Sequence, residues 1–161
     1  MHVLARPMFP RSRAAVASLL VVAGLLGVVG VAAADDDEEP EVSPGTPCTR
    51  SADICIDLAG KKAWLIDRDG LVMHGPVPIS SGRPGHETPR GTFYVQWKSR
   101  DHRSAEYSDA PMPFAIFFAD GGIAIHGGDV NPPSHGCVRL PLPEAETFFD
   151  FAEEDDEVQV H

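Results

Sequence analysis

The residues best suited to chemistry lie in Ser134-His135-Gly136-Cys137-Val138-Arg139-Leu140, with a second histidine upstream in Ile125-His126-Gly127-Gly128. A thiol becomes an effective nucleophile when a neighbour lowers its pKa or takes its proton, and imidazole does both near neutral pH. His126 has the makings of that base, placed at the end of an apolar run with a loop that can return the chain beside it. If the segment around Cys137 is extended, His135 and Arg139 share the face of the thiol. His135 then becomes a second candidate base, and Arg139 a guanidinium able to hold a carboxylate in two-pronged fashion. Backbone N–H groups around Gly136 and Cys137 are the natural donors to an oxyanion. The pattern points to acyl transfer through a cysteine.

Other readings of the same residues stand beside this one. His126, His135 and Cys137 are all zinc-ligand types, but a His-x-Cys spacing is tight for zinc and no second pair completes a site. Zinc is therefore disfavoured. A buried cysteine with two satisfied histidines is the plain structural alternative. A papain-like arrangement is disfavoured, because the only histidine after Cys137 is His161 at the chain end.

The elements that must position these groups read as mostly β. Short β-type runs cover 54–58 and 63–67 (a hairpin around Gly60-Lys61), 71–79, 92–98, 113–118, 122–126 and 158–160. One helix opens at Leu142-Pro143-Glu144, with Ala145, Phe148, Phe149 and Ala152 at helical spacing. The stretches 80–91 and 99–111 read as long polar loops, the second a candidate flap near the site.

The chain has 161 residues and a formal net charge of −11, which leaves room for one domain plus a targeting segment. Arg6, Arg11 and Arg13 precede an apolar run from Ala14 to Ala34, which ends in Ala32-Ala33-Ala34 before an acidic tract. Residues 1–34 therefore read as a signal peptide, with an uncleaved anchor as the alternative, and residues 35–50 as an acidic, Pro-rich linker. Both readings place the folded part, 51–161, outside the cytoplasm, with membrane contact only through that first segment. Without the signal, ten basic residues face twenty-four acidic ones, which argues against a nucleic-acid partner. In an oxidising compartment Cys48 and Cys55 are close enough in sequence to form a disulfide, leaving Cys137 as the odd, free thiol.

Ser-His-Gly-Cys-Val-Arg-Leu with an upstream Ile-His-Gly resembles the signature of the L,D-transpeptidase (YkuD-type) catalytic domain family. The stretches 80–93 and Pro111-Met112-Pro113-Phe114 are similar to the family's segments ahead of its central strands. The resemblance implies a mainly β, YkuD-like sandwich with one or two short helices. It implies an enzyme acting on peptidoglycan stem peptides, needing no metal or organic cofactor and open to acylation by carbapenems; a monomer is expected. Carried onto this chain, it makes Cys137 the nucleophile and His126 the proton donor and acceptor. His135 and Gly136 would shape the site and its oxyanion hole, Arg139 would contact substrate, and Ser134 would support them. The expected reaction releases D-alanine and forms 3→3 cross-links. Water as acceptor would make the enzyme an L,D-carboxypeptidase, and an inactive site would leave a wall-binding domain. The eleven-residue interval from His126 to Cys137 is shorter than in many members.

Overall fold

The computed structural model describes residues 41–161. The signal or anchor segment, 1–34, lies outside the described residues.

Two sheets enclose the core. In the first, β1 (Ile54–Asp57) and β2 (Lys62–Ile66) form the expected antiparallel hairpin, with Ile54 opposite Leu65. The Asp57 carboxylate accepts the Gly60 N–H at 2.8 Å and tightens its turn. Strands β3 (Val72–Pro78) and β4 (Gly91–Tyr94) form the two edges, and β9 (Glu157–Val160) fills the position between β1 and β4. The order is β3-β2-β1-β9-β4. The second sheet has the order β5-β6-β7-β8, from β5 (Trp97–Ser104), β6 (Ala110–Ala119), β7 (Ile123–Gly127) and β8 (Val138–Leu140). Its last pair, β7 and β8, is parallel.

The helix α1 (Leu142–Phe151) has a proline in its first turn and Glu144 where the macrodipole favours an acid. It turns Ala145 and Phe148 into the core, where they meet Ile54, Leu65, Ile116, Phe118, Ile125 and Leu140. Phe149, expected on the same apolar face, is only partly buried; the Lys98 ammonium lies 4.8 Å from its ring centroid.

Three expectations need correction. The run 92–98 is two strands in different sheets, and the chain crosses over at Val95-Gln96. Val95 bonds to Asp155 and Asp156 on the side of the first sheet, whereas the Gln96 N–H reaches Phe117 in the second. Phe93 and Val95 join the core, but Trp97 stacks on Phe117 at 3.8 Å on the opposite face. Hydrophobic alternation continues through such a crossing and does not mark it. The supposed loop 99–111 is mostly β5 and the start of β6, with only 105–109 as a turn. An edge strand exposed along much of its length carries polar residues without loss. Residues 41–50, expected as linker, pack on the domain. Val42 bridges Thr49, Ser43 and Cys48 are buried, and the Thr49 N–H donates to the Gln159 side chain at 2.9 Å. Cys48 and Cys55 are disulfide-bonded within a small apolar cluster with Ala52, Trp64 and Ile66.

Candidate active site

Strand register brings the chemistry together. His126 on β7 lies opposite Arg139 on β8, and Ile125 lies opposite Val138. Side chains alternate along a strand. Ile125, Val138 and Leu140 therefore enter the core, while Ala124, His126, Cys137 and Arg139 turn to the outer face of the sheet. There Met112, Ala115, Phe117 and Ala124 form an apolar floor against which Cys137 packs. A groove of about 900 Å³ opens over this floor. His126, His135, Cys137 and Arg139 line it, with Trp97 and Tyr107 on its flank.

His126 is 7% exposed, and its Nδ1 lies 2.9 Å from the Gly127 carbonyl. A carbonyl only accepts, so Nδ1 carries the proton and Nε2 is the basic nitrogen of the neutral ring. Burial pushes the imidazole below its ordinary range, and the Arg139 and His102 charges push the same way against the Gly127 bond. The resting ring is neutral and ready to take a proton.

Cys137 is free and half-buried, with Sγ 3.8 Å from the Gly122 carbonyl. Burial pushes its thiol above the ordinary range, and the Glu106 charge pushes the same way. A hydrogen bond from the Ala124 backbone and the Arg139 charge oppose this by favouring the thiolate. Both shifts favour a resting thiol and a neutral imidazole lining one groove rather than a standing ion pair. Such a pair attacks by general base catalysis, the proton leaving as the sulfur bonds to carbon.

The turn before Cys137 is tightly held. The Ser134 hydroxyl is buried, accepts the Gly136 N–H at 3.1 Å and donates to the Cys137 carbonyl at 2.5 Å. It supports the turn from within. Gly136 has φ +123°, and a Cβ there would come 2.5 Å from the Ile123 side chain. The Gly136 N–H is thus engaged by Ser134, which leaves the Cys137 N–H to serve an oxyanion. Of the Gly136 and Cys137 backbone groups it alone has no partner among the described residues.

His135 does not share an extended face with Cys137, because the Gly136 conformation breaks the strand ahead of β8. Its ring lies 5.2 Å from His86 and 4.7 Å from Tyr107, centroid to centroid. Partial desolvation and the Arg83 and His86 charges hold it below the usual imidazole range. The Arg139 guanidinium donates to the Asp129 and Pro132 carbonyls, both at 3.2 Å, and so ties down the short loop 128–133. Among the described residues no cluster of three or more His, Cys, Asp or Glu is arranged to hold a metal.

The profile of the YkuD family, the L,D-transpeptidase catalytic domain, matches residues 51–160. The chain belongs to that family. The fold agrees, since solved L,D-transpeptidases superpose on this one. The enzyme from Stackebrandtia nassauensis has 22% identity and a TM-score of 0.64, over 80% of this chain and 61% of its own. A Cys-to-Ser mutant of the Enterococcus faecium L,D-transpeptidase has 26% identity and a TM-score of 0.61, over 69% of this chain and 50% of its own. L,D-transpeptidase 3 from Mycobacterium tuberculosis, solved with a faropenem-derived adduct, has 19% identity and a TM-score of 0.59, over 67% and 59%. The chain thus spans about half to three-fifths of the length of these structures. No curated relative matches it by sequence. The fold is the L,D-transpeptidase one, mostly β with two sheets and a single helix in the described residues.

The motif around Cys137 is legible in the sequence, but its support is not. Residues 80–83 pair along the free side of the motif. Ser80 exchanges two hydrogen bonds with Arg139, Ser81 accepts from Ser134, and Arg83 donates to Ser134. From the same loop the Thr88 hydroxyl donates to the Gly136 carbonyl at 2.7 Å. Nothing in a polar, turn-rich stretch announces such pairing; the one signal was its similarity to the family segment.

Proposed function

We propose that the protein is an exported L,D-transpeptidase acting on peptidoglycan stem peptides through a thioester at Cys137. The observation that carries this reading is the parallel β7–β8 register, which sets the neutral His126 and the Cys137 thiol on one face above an open groove. In the acylation step His126 Nε2 takes the thiol proton while Sγ bonds to the carbonyl of the third stem residue. The negative charge on the carbonyl oxygen is met by the Cys137 N–H. On collapse the C–N bond to the terminal D-alanine breaks, and His126 returns the proton to the leaving amine. A side-chain amine from a second stem then attacks the thioester and gives its proton to His126; the C–S bond breaks, His126 returns the proton to the sulfur, and a 3→3 cross-link is left.

The half-open groove supports this outcome, since donor and acceptor stems must both reach the sulfur. The cysteine mutant and the β-lactam-derived adduct among the related structures are consistent with the same nucleophilic chemistry. The export reading rests on the sequence of residues 1–34 and on a substrate class found outside the cytoplasm. The described domain fits it with the Cys48–Cys55 disulfide.

The test is chromatography of products from a disaccharide-tetrapeptide. Transpeptidation predicts cross-linked dimer together with free D-alanine. D-alanine and disaccharide-tripeptide without dimer would assign the protein as an L,D-carboxypeptidase instead.

A further inference from the structure

Thr88 lies outside the catalytic motif yet is joined to it at its most sensitive point. The residue is 4% exposed, and its single hydroxyl both accepts the Gly82 N–H at 3.0 Å and donates to the Gly136 carbonyl at 2.7 Å. A trans peptide is planar, so the Gly136 carbonyl and the Cys137 N–H point in opposite directions. Whatever holds that carbonyl therefore aims that N–H. Glycine at 136 offers little resistance of its own to rotation of this peptide, because it populates a wide range of dihedrals. The Ser134 hydroxyl holds the peptide groups on either side, and the Thr88 bond is the one that holds the carbonyl of this peptide itself. Its own carrier, the loop 80–91, is fixed on both sides of the nucleophile, through Ser134 and through Arg139.

Resting on the acyl-transfer reading of Cys137, we infer that Thr88 is a positioning residue for the oxyanion. Its hydroxyl holds the Gly136–Cys137 peptide so that the Cys137 N–H faces the charge that develops on the substrate carbonyl. The thiol and His126 do not contact Thr88 through any hydrogen bond, so its loss should impair stabilisation of the oxyanion and leave the nucleophilicity of sulfur nearly intact.

Two probes of one sulfur separate those effects. Meropenem acylation passes through a tetrahedral oxyanion, whereas alkylation by iodoacetamide does not. Both rates are read by intact mass on the wild type and on Thr88→Val, Thr88→Ala and Thr88→Ser, with thermal melting as a check of folding. The ratio of acylation to alkylation is expected to fall about tenfold to a hundredfold in the valine and alanine variants. It should stay within about threefold of wild type in the serine variant, which keeps the hydroxyl. If the valine variant does not fold, the alanine variant decides. An unchanged ratio in the folded variants lacking the hydroxyl, or an equal fall in the serine variant, overturns the inference alone. A wild-type protein that takes iodoacetamide but no meropenem overturns the acyl-transfer reading and this inference with it.

Discussion

On β7, β8 and the residue leading into β8, the inward face carries Ile125, Val138 and Leu140, each essentially without solvent contact, and the outward face carries Ala124, His126, Cys137 and Arg139. The same few residues of backbone thus serve two unlike environments separated by one step of the strand period. The inner face is locked by packing against Phe148 and the first sheet, which keeps the two strands in register. The outer face uses that rigidity. It holds a half-buried thiol and a neutral imidazole that would be costly to keep in place on a loop. The comparison teaches that burial serves opposite purposes on the two sides. Inside it removes apolar surface from water, and outside it favours the uncharged forms of both titrating groups.

If the faces are as distinct as this, changes to one should leave the property of the other alone. The largest effect is expected from His126→Ala, which should slow acylation of Cys137 by about 10²–10⁴-fold with little change in melting temperature. Stopped-flow or timed mass measurements of a carbapenem adduct would show it, and a loss below about tenfold would shift the base role to His135. Phe148→Ala should do the reverse. Deleting this fully buried ring should cost about 3–5 kcal/mol of stability in chemical denaturation. At temperatures where the variant is still folded, its acylation rate should lie near that of wild type. A large rate loss with intact stability would mean that the core also tunes the site.

The smallest effect concerns pH. The base must be neutral to accept a proton, so activity is lost as pH falls through the His126 pKa. Burial sets that pKa below the ordinary imidazole value of about 6.5. Acylation should therefore be more than half maximal at pH 6.5. An acid limb centred above pH 7 would mean that a thiolate–imidazolium pair, or another group, controls the rate.

The same contrast explains what could be read from residues alone. The outer-face motif was legible because His126, Ser134, His135, Gly136 and Cys137 are unusual residue types at short spacing. The β1–β2 hairpin and the helix were legible because their apolar positions repeat locally and their turns carry Gly60 or Pro143. The crossing at Val95-Gln96 was not, since Phe93, Val95 and Trp97 alternate as a single strand would while their side chains enter two different clusters. The polar strand 99–104 was hidden because an edge strand exposed along much of its length has no apolar signature. The supporting loop escaped for a further reason. Ser80, Ser81 and Thr88 act through pairing with residues more than forty positions away, and long-range hydrogen bonds leave no local pattern. The packed segment 41–50 looks like linker by composition and is tied down by the disulfide and by hydrogen bonds between Thr49 and the buried Gln159.

The central claim is that Cys137 on the outer face is the acyl-accepting nucleophile. Intact-mass measurement of the purified protein after meropenem treatment tests it most directly, with Cys137→Ala in parallel. The wild type should gain the mass of one adduct, and the variant, folded to the same melting temperature, should gain none. An adduct that persists on Cys137→Ala, or a wild type that gains no mass, would contradict the account.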